Sequence, residues 1–510
     1  MAAEVKAPPL REFPTPPPII PGAMEKSRPF VASEKIQEAI GFPGGLTDGW
    51  EQRAIAHMGE MLGKYRSLKV FMDSCVHCGA CSDKCHYYIG TQDPKNMPVA
   101  RQDLMRSVYR RYFTLPGKLF PKLVGARDLT REVLDEWYTY YNQCSECRRC
   151  SVFCPYGIDT AEVTMAGREI LDAVGYGQKY TNEIIGKVHR VGNNLGLPGP
   201  ALADTLTGLE EDIKEDTGVD VRMPLDEAGA EVLLITPSAD FFAEPHVDSL
   251  IGYAKVFHAA GIRWTLSSKA SEAGNFGLFI GNYEQLRSIA LRIREAALEL
   301  GVKRIIVGEC GHAWRVAYSF WNTLVGIGAG GKDPFAVQLQ SQLDSRYRQP
   351  THICEFTWDL IERGALRFDK DANDHRVVTF HDSCNVARGS RMGDRPGGQF
   401  EIPRAIIRAV ANKYVEMAPG TTHEKTFCCG GGGGILTDDL LDLRVKGALP
   451  RMESLRAVAD EHGVNFMATI CAICKAQFTK VLPYYGFKMN MVGGVHQLVS
   501  TAIRLDAAPH

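Results

Sequence analysis

Thiols dominate the chemistry open to this chain. Of its 15 cysteines, five near the C-terminus stand as Cys384, the adjacent pair Cys428 and Cys429, and then Cys471 with Cys474. Adjacent cysteines do not easily serve one tetrahedral ion together, and a zinc site shows two spaced Cys or His pairs instead. A larger inorganic cluster, with several iron atoms to reach, is the natural acceptor for five thiolates.

Eight further cysteines form two runs, Cys75-x2-Cys78-x2-Cys81-x3-Cys85 and Cys144-x2-Cys147-x2-Cys150-x3-Cys154-Pro155. Each matches the bacterial ferredoxin spacing, in which three close thiolates hold one cubane and the fourth ligates the neighbouring one. On that pattern one [4Fe-4S] cluster takes Cys75, Cys78, Cys81 and Cys154, and the other takes Cys144, Cys147, Cys150 and Cys85. A zinc reading leaves the third cysteine of each run without a purpose. The first run departs from the pattern by placing His86 where proline usually follows. Ser82 rules out a CxxCH haem attachment at Cys85-His86. Two cubanes joined by crossed ligands conduct electrons between them, so this part of the chain reads as a conductor and not as a substrate site.

These thiols need elements to hold them. The 510 residues, 45% hydrophobic and 23% charged, fit a soluble globular protein of about three domains. A net charge of -2 gives no reason to expect nucleic acid, and Arg106, Arg110 and Arg111 read as solvated helix faces. Cysteines at metal-ligand spacing without a signal peptide point to a reducing compartment, the cytoplasm. No apolar run reaches the ~20 residues that span a bilayer, so membrane association is expected through partner subunits. Residues 1–50 read as an extended proline-rich arm. Residues 51–175 are helix-prone and carry both ferredoxin runs, with a helix expected over Pro98 to Phe113. Residues 176–228 form a helical and acidic linker, polar from Thr205 to Glu227. Two α/β units are expected over 229–370 and 371–510, with apolar runs at Val232-Ile235, Gly277-Ile280, Arg304-Val307, Val377-Phe380 and Asn465-Ile470. Their alternation with helical periods indicates parallel pairing.

The α/β region aligns with itself. Arg304 to Ala313, containing Cys310, lies over Asn465 to Cys474, so Cys310 matches Cys471 and Ala313 replaces Cys474. Val232 to Ala239 lies over Val377 to Cys384, and Phe279-Ile280-Gly281 over Cys428-Cys429-Gly430. The first copy keeps one cysteine of five. The fold class is therefore multidomain, α+β and α/β: a helical two-[4Fe-4S] ferredoxin-like domain followed by a duplicated α/β pair. Gly430 to Gly434 lacks every Cβ beside the cysteine pair, which lets backbone approach a cluster.

His381-Asp-Ser-Cys384, Phe427-Cys428-Cys429-Gly430 and Ile470-Cys471-Ala-Ile-Cys474-Lys475 together resemble the CCG domain of heterodisulfide reductase catalytic subunits. With the ferredoxin runs upstream, the layout from about Ser74 onward is similar to the HdrD type. The degenerate first copy, with Glu309-Cys310-Gly-His312, resembles most the DsrK type found in membrane-bound DsrMKJOP complexes of dissimilatory sulfur metabolism. The resemblance implies that Cys384, Cys428, Cys429, Cys471 and Cys474 bind a noncubane [4Fe-4S] cluster. It also implies an oxidoreductase acting on sulfur groups, on the inner face of the cell membrane. Its implied partners are a haem b membrane subunit that is DsrM-like and linked to quinone, and a DsrC-like sulfur carrier whose disulfide or trisulfide is the substrate.

Cys310 and His312 are the expected catalytic residues, the thiol lining the substrate site and the imidazole donating a proton. Cys354 reads as a small buried hydrophobe. His381 and Arg388 flank Cys384, within reach of a cluster or of ordinary packing. A second function fits the same motifs: an electron-relay iron-sulfur subunit of a flavin-dependent 2-hydroxyacid or glycerol-3-phosphate dehydrogenase. No GxGxxG opens a βαβ unit here, so that role needs a flavoprotein partner.

Overall fold

The computed structural model describes residues 33–321, 347, 350–437 and 440–505. Residues 1–32, most of the expected arm, lie outside them. The end of that arm is a correction: Glu34–Ile40 is a helix, stopped by Gly41 in the left-handed conformation, and Ile40 and Phe42 join the main core.

The ferredoxin-type unit is built from helices Trp50–Lys64, Arg66–Ser74, His86–Thr91, Pro98–Phe113, Arg131–Asn142 and Thr160–Ala173. Pro98 opens its helix at the first turn, where no amide donor is needed. Thr130 and Asp159 cap the two later helices by accepting from Val133 N and from Ala161 and Glu162 N. Met58, Met105, Leu134, Trp137, Tyr141 and Ile170 form their shared core, and Ile435, Leu440 and Leu443 enter it from the C-terminal half. The unit is thus packed into the rest of the chain. Arg106, expected on a solvated face, is buried and donates to Cys75 O.

The expected helical and acidic linker carries helix Gly199–Thr217, which is seated on the core by Leu202, Leu206 and Ile213 on one face and exposes most of its acidic residues on the other.

Two parallel sheets follow. The first has order β2-β1-β3-β4, with β1 Val232–Ile235, β2 Trp264–Thr265, β3 Arg304–Val307 and β4 Thr351–His352. The second has order β5-β6-β7, with β5 Val378–His381, β6 Phe466–Thr469 and β7 Val492–Gly494. A parallel bridge from Val378 to Tyr414 stands where β2 stands in the first sheet. Strands buried on both faces need no polar alternation, which explains the continuous Val-Leu-Leu-Ile run of β1 and the full burial of β5 and β6. Leu233 pairs with Ile305 and Val378 with Phe466, positions that the internal alignment places over one another.

The Gly277-Ile280 run is no strand. It is a 3-10 turn over Phe276–Ile280, because left-handed Gly281 reverses the chain and Asn282 at once caps helix Tyr283–Leu300.

Candidate iron-sulfur sites

The first ferredoxin run folds around a small cleft at the edge of the helical unit, lined by Cys75, Cys78, Cys81, Cys150 and Cys154. Cys154, together with Cys150, thus reaches this cleft from the second run. Burial pushes the Cys81 thiol up to about 11, with Cys154 and Cys75 adding to it. Cys78 is exposed, and Val76 and Tyr156 stand beside it in solvent.

Cys85, Cys144 and Cys150 converge deeper in the molecule around the buried Arg101. Its Nη1 donates to Cys85 Sγ at 3.5 Å. Burial pushes the Cys85 thiol up, but Arg101 and His86 outweigh it and hold it below its ordinary value. A guanidinium so placed favours thiolate over thiol. Cys147, the remaining expected member, turns its sulfur toward Cys428 of the C-terminal site.

All five C-terminal thiols are 5% exposed or less and meet in one chamber. Cys428 contacts Cys147, Cys384 and Cys429, and their hydrogen bonds hold its thiol well below the usual range. Cys429 touches Cys474, which touches Cys471. Hydrogen bonding from Cys474, with Ser383 and Gly311 N adding to it, brings Cys471 down to about 6 despite its burial. Cys471 occupies the N-cap of helix Ala472–Val481, directly after β6, where free backbone amides favour a thiolate.

The surroundings fit an anionic cluster. Arg315, Arg388 and Arg451 border the chamber, and each keeps a buried guanidinium nitrogen without a hydrogen-bond partner. Both ring nitrogens of His381 are likewise buried and unpartnered, with Cys428 close by. Buried donors without acceptors cost free energy unless an acceptor arrives. Thiolates with inorganic sulfide supply such acceptors, and the chain's own atoms do not. Five sulfurs ringed by unmatched cations therefore suit an iron-sulfur group better than zinc.

The glycine run is buried packing. At Gly433, φ is +65° and a Cβ would lie 2.6 Å from Cys144 O. Only glycine lets this stretch lie flat on the second ferredoxin loop. Arg168 clamps the junction, donating to Tyr141 O, Cys144 O, Phe279 O and Gly433 O while pairing with Glu146 at 3.0 Å. Tyr87 adds a hydrogen bond to Gly430 O and His86 contacts Gly447 O, both at 2.7 Å. Arg388 donates to Cys147 O, Glu424 O and Thr426 O. The ferredoxin unit and the second α/β unit, far apart in the sequence, are thus held with Cys147 and Cys428 in contact.

Cys310 caps helix Gly311–Ser319 as Cys471 caps its own, with Sγ accepting from Ala313 N at 3.4 Å. It is buried, and Cys471 is among the charges nearest to its thiol. His312 corrects the expectation of a proton donor. Burial holds its ring down at about 3, so it is neutral. Its Nε2 is 2.7 Å from Asn275 O and the ring stacks on Phe279, 4.1 Å between centroids. The helix turns it away from Cys310, a packing role.

The motif spelled out two residues whose role sequence reasoning missed. Glu309 accepts from His496 N and contacts His496 Nδ1, both at 2.8 Å, and accepts from Ser249 at 2.9 Å. Lys475 donates to Ser249 and lies 3.5 Å from Glu309 and 3.8 Å from Asp240. This wholly buried network ties the two sheets together beside Cys310 and Cys471, and Cys354 lies within 4.8 Å of its Glu309 and His496. The signal available was position alone: Glu309 precedes Cys310 and Lys475 follows Cys474.

Comparison with known proteins bears on this architecture. A 4Fe-4S dicluster domain model matches residues 71–158, and a cysteine-rich domain model matches 378–479. An Hdr-like menaquinol oxidoreductase iron-sulfur subunit 2 from Archaeoglobus fulgidus is 44% identical over 91% of this chain and 85% of its own length. The chain belongs to the Hdr-like iron-sulfur subunit family. Its Archaeoglobus profundus counterpart is 43% identical over the same shares. A component chain of the dihydromethanophenazine:CoB--CoM heterodisulfide reductase of Methanosarcina barkeri is 25% identical over 79% of this chain and 87% of its own length. No solved structure matches. As an Hdr-like subunit it is an iron-sulfur oxidoreductase component, and among the described residues no helix is long and apolar enough to cross a membrane.

Proposed function

We propose that this subunit exchanges electrons between a quinone-linked, haem b membrane subunit and the disulfide or trisulfide of a DsrC-like sulfur carrier. It would do so on the inner face of the cell membrane. We read the two sheets as copies of one CCG unit, of which the second alone keeps a full thiol set. Cys75, Cys78, Cys81 and Cys154 would hold one cubane, and Cys85, Cys144, Cys147 and Cys150 the other. Cys384, Cys428, Cys429, Cys471 and Cys474 would hold a noncubane [4Fe-4S] cluster. That cluster, when bound, supplies an iron at which sulfur can ligate while electrons arrive singly.

The chain's residues supply the rest. Contact between Cys147 and Cys428 gives the electrons a short path from the second ferredoxin loop. Arg315, Arg388 and Arg451 offset the negative charge that accumulates on reduction. In the balanced reaction R–S–S–R′ takes two electrons and two protons to give two thiols, and the reverse reaction releases them. The observation that carries this reading is the placement of Cys310: the one thiol retained by the first sheet adjoins Cys471 at the five-thiol chamber.

EPR of the oxidised protein tests it, with and without the thiol form of a DsrC-like carrier. A paramagnetic signal that changes with the thiol is expected, and Cys310→Ala should abolish turnover with all clusters retained. Full activity in that variant removes Cys310 from the site. A signal indifferent to the carrier favours a second reading, pure relay toward a flavoprotein. One observation leans that way: the chain is 23% identical to an EtfAB:quinone oxidoreductase of Syntrophomonas wolfei over 71% of its length.

A further inference from the structure

From Leu104 to Arg127 the chain carries Arg106, Arg110, Arg111, Lys118, Lys122 and Arg127 and not one acidic residue. In a chain of net charge -2 this is a marked local excess of positive charge. The structure turns its middle into a projecting knob. Helix Pro98–Phe113 ends, Thr114 caps the short helix Leu115–Leu119 by accepting from Gly117 N at 3.2 Å, and the chain returns along Arg110. On this knob Leu115 is 69%, Leu119 60%, Phe120 59% and Leu123 84% exposed.

The knob is built rather than loose. Gly117 packs so tightly on Arg110 O that no side chain fits there, and Arg110 Nη1 donates to Val124 O at 2.8 Å. Leaving four large apolar side chains in water on a rigid turn is unfavourable by the area rule. Lys118 and Lys122 alternate with them and have no carboxylate within 4 Å among the described residues, whereas Arg111 and Arg127 pair with Asp128 and Glu136.

We propose that the Leu115–Leu123 knob inserts into the surface of an anionic lipid bilayer, its leucines and Phe120 among the acyl chains and its lysines at the phosphates. Apolar side chains interleaved with unpaired lysines are the chemistry of an interfacial anchor. A protein partner's apolar groove would match the leucines but give no reason for a stretch this long without a single acid. The anchor also orients the electron path. Helix Pro98–Phe113 runs from the knob back to Val99 and Gln102, which line the first ferredoxin cleft, a span of about 20 Å at 1.5 Å per residue. The subunit would then touch lipid directly, besides any attachment through membrane subunits.

The test is sedimentation of the full-length, cluster-loaded chain with phosphatidylglycerol vesicles and with phosphatidylcholine vesicles. The wild type should bind the anionic vesicles, more weakly as salt rises. The triple variant Leu119→Ser/Phe120→Ser/Leu123→Ser should lose at least tenfold in partitioning while keeping its visible cluster absorbance. Lys118→Gln and Lys122→Gln should each cost about fivefold, from the value of one basic residue at such a surface. No binding of the wild type to anionic vesicles overturns the proposal, as does binding that both sets of variants leave intact. Vesicle binding that persists in the triple variant while it loses its membrane subunits in detergent also overturns it, making the knob a protein contact.

Discussion

Replacing Gly433 by alanine tests the junction between the ferredoxin unit and the five-thiol chamber. Two costs add there. A non-glycine residue at φ +65° costs about 1–2 kcal/mol in the left-handed region. The new Cβ would also lie 2.6 Å from Cys144 O and 3.0 Å from Ser145 Cα, forcing the two backbones apart at roughly 1–3 kcal/mol for overpacking. Gly218 separates the costs, because its φ is +73° with nothing within 4 Å of its Cβ position. Gly218→Ala should therefore show the conformational cost alone. The gap of about 1–3 kcal/mol corresponds to roughly 2–10 °C in Tm, with the lower half expected for so long a chain. Thermal loss of visible cluster absorbance measures it, and freeze-quench EPR follows electron arrival at the five-thiol site. Gly433→Ala should melt below Gly218→Ala and slow that transfer. Equal melting of the two variants, with unchanged transfer, would refute the argument that the glycine run exists for this close approach.

Three further outcomes follow from named contacts. Arg404 holds Asp382 through two 2.8 Å bonds, both side chains buried, two residues before Cys384. Arg404→Ala should cost about 3–5 kcal/mol by leaving that carboxylate unpaired, seen as iron loss from the five-thiol site on purification. Burial pushes the Glu453 carboxyl up to about 8, and neither of its oxygens has a hydrogen-bond partner. A carboxyl raised above its unfolded value of 4.5 binds its proton more tightly when folded, so stability falls as pH rises from about 4.5 to 8. Glu453→Gln should then stabilise by on the order of 3 kcal/mol at pH 9 and by little at pH 4.5, read from melting curves at both values. Arg101→Gln removes the cation beside Cys85, 3.5 Å away. The potential of the second ferredoxin-type cluster should drop by on the order of 50–100 mV, since less charge offsets the added electron. Redox titration checks this, and an unchanged potential would place Arg101 in a purely structural role.

Spacing legible in the sequence carried the ligand chemistry. Two ferredoxin runs, a vicinal cysteine pair and a strand-to-helix Cys-x2-Cys are local patterns, and a local pattern survives without knowledge of what packs on it. The same holds for helix Pro98–Phe113 and for strands β1, β3, β5 and β6, whose short, largely apolar runs suit parallel strands covered on both faces. Where reasoning from the sequence stopped short, a distant contact decided. The acidic stretch after Thr205 reads as a helical linker, and Leu206 and Ile213 on one helical face seat it on the core. His312 stands two residues from Cys310, but the helix aims it at Asn275 and Phe279.

The sequence by itself determined which thirteen thiols could serve iron, because ligation needs only type and spacing. The tertiary structure alone decided that the second ferredoxin run meets the five-thiol chamber. Cys147 and Cys428, Gly433 and Cys144, and Lys475 and Glu309 are each separated by more than 150 residues, and no local pattern encodes a meeting at that range. Only burial, which makes an unmatched charge or an empty space costly, forces such groups together.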